Sequence, residues 1–422
     1  MKFNDIFKQS KVTRQELSEA ISNEDSPHFL LDCPPRTGKS LIFTDLVKNK
    51  GWRGNILILS AATSTNNQWL ENLEKYNPDL LERVDVFCYQ SLHKIDKTKY
   101  SIIGLDEFEL SRSDKRFLQI LEFECEHWVG MSGTLDREDI QEFRELTKNQ
   151  FFHAKISLEQ GVEWGILPKP KIFACKLRFD NENKYCLIYH SSKNKKLKNE
   201  VVTFPQRWES LKNKKVNTLI QCTEQEYYEL ICYEFNKWKG YEEEFNLPVE
   251  ERSDTIRFLM KQGFSQTICR DKKMRVGLER KRFFANIKNR WFKRIFSELP
   301  KNSRCLVFCN DIAQADLLNS EFAVHSKSEN DLSLVDRFNS GEINQIFSIG
   351  MVERGVDFER VDYLIIIQSS GSQVSQLQKT GRSYLSVAPK IIVMYYPNTQ
   401  DQKYVDEFLK QFKTEWIIHK TL

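Results

Sequence analysis

LLDCPPRTGKS, Leu30 to Ser40, is the stretch that decides how the chain is read. Phe29, Leu30 and Leu31 make an apolar run of the kind a buried strand shows. Pro34 and Pro35 end it, because proline has no N–H to give a sheet ladder. Gly38, Lys39 and Ser40 follow, and LIFTDLVKN after them carries apolar residues at helical spacing. A strand, a tight loop and a helix N-terminus aim several backbone N–H groups at one anion. Lys39 would then pair with the β- and γ-phosphates of a nucleotide, and the Ser40 hydroxyl would ligate Mg²⁺. A full phosphate loop has a second glycine where this chain has Arg36 and Thr37. A chance GKS in a surface loop therefore competes for this stretch taken alone.

The neighbouring segments alternate strand and helix. VTRQELSEAI (12–21) reads as a helix with Val12, Leu17, Ala20 and Ile21 apolar. NILILSAAT (55–63) is apolar on both faces, as a strand in a parallel sheet requires. NNQWLENLEKY then reads as a helix, and the segments 83–90, 101–109 and 127–134 as further strands. Such alternation predicts a parallel sheet covered by helices. Ligands of these sheets bind outside the carboxyl ends of the strands. Asp106 and Glu107, closing the apolar run of SIIGLDEFE, should emerge on the same edge as the phosphate loop. One carboxylate there can hold Mg²⁺ while its neighbour positions or activates the attacking water. An isolated acidic pair is ordinarily a solvated strand end. The apolar lead-in and the SGT strand downstream favour the chemical reading.

SLEQGVEWGILPKPKIFACKLRF (157–179) reads as a short helix broken by Gly165, Pro168 and Pro170 before a strand. From about 185 to 280 glycine becomes sparse while lysine and aromatics rise, which predicts a largely helical insertion. Its lysine clusters at 193–198 and 212–215 suit a phosphate-tracking surface and a solvated loop alike. Residues 270–296 are strongly basic, but Phe284, Ile287, Trp291 and Ile295 fall on one helical stripe. That spacing favours core packing over base stacking. After 300 a second α/β series begins: SRCLVFCND, a helix at IAQADLLNSEF, a strand end at VHSK, LSLVDRFNSGEINQIFSIG, and a last strand and helix at APKIIVMYYPNT and DQKYVDEFLKQF.

In this order the stretches resemble the motifs of superfamily 2 helicases and translocases, in particular the branch with type III restriction subunits, SNF2-like and phage recombination helicases. Arg14-Gln15 resembles the adenine-reading Q-type motif, and CPPRTGKS resembles motif I. SAATSTNNQW resembles motif Ia, with Ala62 in place of proline and Thr63, Gln68 and Trp69 present. YQSL (89–92) resembles motif Ib, LDEFE motif II with Glu109 in place of histidine, and MSGT motif III. The segment around Asn310 resembles motif IV, Gly350 to Asp357 motif V, and Gln378 to Arg382 motif VI. Each motif is weak singly; their order carries the signal.

The resemblance implies an α/β chain of two RecA-like domains in tandem, 1–168 and 169–422, the second carrying the insertion. It implies ATP and Mg²⁺ as cofactors. Nucleotide contacts would come from Arg14, Gln15, Pro35, Arg36, Thr37, Gly38, Lys39 and Ser40, and from Gly355 and Asp357 across the cleft. Ser40 and Asp106 would hold the metal, Glu107 would orient the water, and Gln378 and Arg382 would complete the catalytic set. Thr63, Gln90, Ser91 and Asn310 would meet nucleic acid, mainly at its phosphates. The activity implied is ATP-dependent movement along, or unwinding of, a strand, with DNA favoured over RNA by analogy alone.

One departure bears on mechanism. The second arginine of motif VI should stand at 385, where this chain has Leu385. Arg382 could suffice, Arg354 or Arg360 could substitute, or the protein could be a nucleotide-gated clamp with weak turnover. A packaging motor would need a nuclease domain where the second α/β series stands.

Composition narrows the remaining classes. The 422 residues are 40% hydrophobic and 29% charged with a net charge of +4, so global charge does not mark a nucleic-acid binder. No apolar run is long enough to cross a bilayer, and the N-terminus lacks the apolar core of a signal peptide. A bacterial or virus-infected host cytosol, a monomer, no membrane and a possible protein partner at the insertion are the expectations. The ten cysteines are scattered without a CxxC pair, which fits reduced thiols.

Overall fold

The structure, a computed structural model, describes residues 2–112, 114–133, 135–184, 186–190, 199–203, 217–324, 331–349, 358–369, 381, 384 and 386–422. The first sheet comprises β1 (Phe29–Asp32), β2 (Ile56–Ser60), β3 (Val84–Cys88), β4 (Ile102–Asp106), β5 (His127–Ser132) and β6 (Phe152–Lys155). Their order is β3-β2-β4-β5-β1-β6, and every pairing is parallel. Alternate residues enter two different cores. Phe29, Leu31, Ile56, Ile58 and Ile102 pack on one face. Leu30, Leu57, Leu59, Ile103 and Leu105 pack on the other. A strand with period two and both faces buried reads as a continuous apolar run, which is why ILILS and FLLD carry no polar alternation.

Local signals set the helix starts. Thr13 and Glu16 form a reciprocal capping box at the helix Arg14–Ser22, with the Thr13 N–H donating to Glu16 Oε2 at 2.8 Å. Asp136 and Ser157 cap Arg137–Leu146 and Leu158–Glu163 in the same way. The strand read at 55–63 ends earlier, at Ser60, because the chain already turns into the helix Thr63–Tyr76.

Leu158–Glu163 leads to β7 (Lys171–Lys176). The chain then runs through β8 (Cys186–His190), β9 (Asn199–Thr203) and β10 (Asn217–Cys222) before returning to β11 (Cys305–Phe308), β12 (Ala323–Val324), β13 (Gln345–Ser348), β14 (Tyr363–Ile366), β15 (Lys390–Tyr395) and β16 (Ile417–Thr421). The second large sheet has the order β12-β13-β11-β14-β15-β7-β16. The pairings from β12 through β15 are parallel. Two parallel sheets flanked by helices give the tandem RecA-like architecture that the sequence predicts. The strand after the connector becomes β7, seated between β15 and the C-terminal β16, a placement no local pattern encodes.

Two compact units result. One takes in both large sheets, from Met1–Cys175, Ser297–Tyr395 and Gln400–Thr421; the other is Lys176–Phe296 with Tyr396–Thr399 and Leu422. The second unit takes in the stretch of about 185–280 set apart by composition. It holds the helices Glu224–Glu244, Asp254–Lys261 and Gln266–Ser297, as the sequence predicts, but also a sheet that the sequence reading lacks. In that sheet β10 pairs antiparallel with β8 and parallel with β9. Phe284, Ile287 and Ile295 are buried, in keeping with a core-facing stripe. The fully buried Glu224 accepts from Arg290 Nη2 at 2.7 Å and from the Asp180 N–H at 2.7 Å, so its charge is met from two sides. The lysine clusters at 193–198 and 212–215 lie outside the described residues, as does most of VHSK.

Among the described residues no helix is long and apolar enough to cross a membrane. Cys33, Cys88, Cys175, Cys222, Cys269, Cys305 and Cys309 are buried free thiols, and Cys125 and Cys232 are partly exposed ones. The sheet also tolerates little added volume at its centre. A Cβ on Gly130 of β5 would lie 2.7 Å from Leu30 Cδ1 and 2.8 Å from Phe143 Cε2. Gly130→Ala should lower stability by about 1–3 kcal/mol through overpacking, read as an earlier denaturant midpoint. An unchanged midpoint would contradict this account of the core.

Candidate active site

The loop 33–38 leaves β1 and enters the helix Lys39–Asn49 through two left-handed residues. Gly38 has φ +97° and is the N-cap of that helix. Arg36 has φ +70°, a conformation glycine adopts without strain. This explains the usual preference for a second glycine in this loop, and Arg36 here takes the conformation itself. Arg14 helps hold it, donating from Nη2 to the Arg36 carbonyl at 3.1 Å and to the Ile166 carbonyl at 3.4 Å. Thr37 is fully buried, and its hydroxyl donates back to the Pro34 carbonyl at 2.8 Å, so it stabilises the loop from within. Lys39 Nζ reaches over the loop to the carbonyls of Cys33 at 2.9 Å and Pro34 at 3.3 Å.

The loop lies against the end of β5. The Cys33 N–H donates to the Ser132 carbonyl at 2.9 Å, and a Cβ on Gly133 would sit 3.2 Å from the Cys33 oxygen and from Pro35 Cδ. Gly381, from the segment resembling motif VI, is pressed against the same proline: a Cβ there would lie 2.4 Å from Pro35 Cβ. MSGT and the glycine of QKTGR therefore both need to be small where they meet Pro35.

β4 delivers the carboxylates. Asp106 is its last residue, and Glu107 follows in the left-handed region at φ +52°, turning the chain into the 3-10 helix Phe108–Arg112. A non-glycine residue held there is the kind of backbone strain that clusters at functional sites. Asp106 Oδ2 accepts from Trp69 Nε1 at 2.9 Å, and Oδ1 accepts from the Glu107 N–H at 3.1 Å. Burial pushes the Asp106 carboxyl up, opposed by the Trp69 hydrogen bond and the nearby Lys39 charge. Glu109, standing where histidine is usual, is pushed up by burial and restrained by a hydrogen bond with Ser132.

One cavity of ≈ 440 Å³ opens between these parts, and Arg14, Arg36, Gly38, Lys39, Ser40 and Asp106 all line it. The Ser40 hydroxyl and the Asp106 carboxylate are hard oxygen donors of the sort Mg²⁺ takes. The described residues contain no cluster of three or more His, Cys, Asp or Glu that could hold a metal. Gln15 is exposed outside the cavity lining, and its amide donates to Glu19 Oε1 at 3.0 Å. The spacing i, i+4 on one helix face makes that pairing local and favourable.

The residues expected to meet nucleic acid are not among those that line the cavity. Thr63 begins the helix Thr63–Tyr76. Gln90 is exposed and Ser91 partly so on the 3-10 helix Tyr89–Lys94, where Tyr89 donates to the Asp106 carbonyl at 3.0 Å. The Asn310 N–H donates to Gln314 Oε1 at 2.7 Å, and its amide donates to Asp311 Oδ2 at 3.0 Å, beside the cap of Ile312–Asn319. Gly355, Asp357, Gln378, Arg382 and Leu385 lie outside the described residues, as does Arg354, whereas Arg360 is bonded to Asp362 at 2.8 Å.

Sequence reasoning did not place Tyr384, which is buried and lines the cavity. Nor did it give Trp69 a partner. The sequence signal was membership of the motif Ia resemblance for Trp69 and proximity to motif VI for Tyr384.

A family model described as the helicase conserved C-terminal domain matches residues 287–384. The ATP-dependent DNA helicase mph1 of Aspergillus fumigatus is 30% identical over 74 residues, 18% of this chain and 7% of that protein. The mph1 protein of Sclerotinia sclerotiorum is 29% identical over 93 residues, 22% of this chain and 7% of its own length. The chain thus spans 7% of the length of these relatives. Among solved structures, S. cerevisiae Dbp5 bound to RNA and ADP BeF3 superposes with a TM-score of 0.54 at 9% identity, covering 99% of this chain and 92% of that one, a likeness of fold. The Pyrococcus furiosus Hef helicase domain is a looser match, with 13% identity, a TM-score of 0.46 and coverage of 96% of this chain and 99% of that one.

Proposed function

We propose that this chain, whose residues 287–384 match the helicase conserved C-terminal domain, is a superfamily 2 helicase, an ATP-dependent nucleic-acid helicase or translocase acting on DNA. The observation that carries the reading is the single cavity lined by Gly38, Lys39, Ser40 and Asp106. The triphosphate would lie between the 1–168 domain and the RecA-like part of 169–422. Backbone N–H groups at the N-terminus of Lys39–Asn49 and the Lys39 ammonium would bind its phosphates. Ser40 and Asp106 would hold Mg²⁺, which when bound neutralises charge on the phosphate oxygens. Glu107 would orient the attacking water and accept its proton, and Gln378 and Arg382 would meet the γ-phosphate from the second domain. Thr63, Gln90, Ser91 and Asn310 would grip the strand at its phosphates, so sequence preference should be slight.

An ATPase assay with single-stranded, duplex and branched DNA, and with RNA, tests this reading. DNA should raise turnover. No stimulation by any nucleic acid would sink it, and stimulation by RNA alone would reassign the substrate. Leu385 favours a second reading, a nucleotide-gated clamp with weak hydrolysis. It expects ATP-dependent DNA affinity with negligible turnover, and Leu385→Arg would then raise the rate strongly.

A further inference from the structure

We propose that Trp69 is a positioning residue for Asp106, fixing its carboxylate toward the divalent cation that accompanies the nucleotide. The inference rests on the nucleotide-site reading above. Trp69 is 3% exposed, and its indole N–H meets Asp106 Oδ2 at 2.9 Å while Oδ1 is met by the Glu107 N–H at 3.1 Å. One donor at each oxygen fixes the carboxylate plane.

The indole is itself held. It meets Phe43 edge-to-face, with ring centroids 5.8 Å apart and planes at 89°. Phe43 belongs to the helix that starts at Lys39, and its ring packs over β4 so closely that a Cβ on Gly104 would lie 3.0 Å from it. Tyr89 secures the main chain of the same residue, donating to the Asp106 carbonyl at 3.0 Å. The carboxylate, the phosphate-loop helix and the helix Thr63–Tyr76 are thereby registered through one buried ring.

The chemistry suits this role. An indole N–H is neutral and only donates, whereas an ionised carboxylate accepts at about four lone-pair sites. The indole can therefore orient Asp106 while leaving acceptor capacity for a cation, without neutralising the charge the cation needs. Lysine or arginine in its place would compete with the metal electrostatically. Partners of this kind, one bond removed from a metal, fix ligand orientation and are worth about 10–100-fold in metal affinity.

The test titrates Mg²⁺ against a fluorescent ATP analogue bound to the full chain, in wild type, Trp69→Phe, Asp106→Asn and the double variant. Trp69→Phe should raise the Mg²⁺ midpoint about tenfold, well beyond any change in analogue affinity in EDTA, which is measured alongside because Trp69 also lines the cavity. Asp106→Asn should also raise it, and adding Trp69→Phe should then change nothing further, as expected of one residue acting through another. β-(3-Benzothienyl)alanine at position 69 keeps the ring shape and lacks the N–H, so it gives the same readout should Trp69→Phe fail to fold. Midpoints within about twofold of wild type, or an equal loss in the Asp106→Asn background, would overturn the proposal. If wild type binds the analogue without any Mg²⁺ dependence, the nucleotide-site reading falls and this proposal with it. If wild type shows the dependence and the variants keep its midpoint, only this proposal falls.

Discussion

Lys39→Ala should lower ATP turnover by about 10²–10³-fold, the scale on which removal of one charge-stabilising group from a preorganised site acts. The Lys39 ammonium lies 2.9 Å from the Cys33 carbonyl and 3.3 Å from that of Pro34, which holds it across the loop that would wrap the phosphates. Arg14 also lines the cavity, but its guanidinium is engaged with the Arg36 and Ile166 carbonyls. It cannot take over without releasing the loop. Lys39 is the first residue of its helix, where alanine is an excellent helix former. The fold should therefore survive, and an unchanged thermal midpoint would separate lost chemistry from lost structure. Turnover close to wild type would mean that this cavity is not where ATP is hydrolysed.

Glu107→Gln should cost about 10²–10⁴-fold in turnover, the usual worth of a positioned general base, with nucleotide binding kept. Glutamine is isosteric and meets the same backbone demand at φ +52°. The change removes the ability to accept a proton and little else. Glu109→Gln is the control. Its carboxyl is pushed up by burial and hydrogen-bonded with Ser132, a structural tie between the end of β5 and the 3-10 helix. It should affect stability more than rate. If Glu109→Gln stopped hydrolysis and Glu107→Gln did not, the two roles would have to be exchanged.

Both predictions draw on residues that the sequence already made conspicuous. GKS stood between an apolar strand and an apolar helix, and DE closed an apolar run that a parallel strand buried on both faces must show. The alternation of strands and helices was legible for the same reason, and so were the core-facing Phe284, Ile287 and Ile295 of the long basic helix. Other features had no local cause. Gln15, expected at the nucleotide from the resemblance of Arg14-Gln15 to the Q-type motif, pairs with Glu19 while Arg14 bonds the Arg36 and Ile166 carbonyls, because a helix turns 100° per residue and neighbours point apart. The sheet formed by β8, β9 and β10 escaped notice because its strands lie in a lysine-rich stretch without a clear period.

The sequence by itself determined the local grammar of this protein: which runs are strands, where the loop before Lys39 turns, and which acids close a strand. These follow from backbone sterics and from apolar periodicity, both short-range. Only the tertiary structure decided that β7 lies between β15 and β16, that Gly381 touches Pro35, and that Trp69 reaches Asp106 across 37 positions of chain. Each of these depends on strand order and sheet geometry, which bring together groups that no spacing along the chain relates.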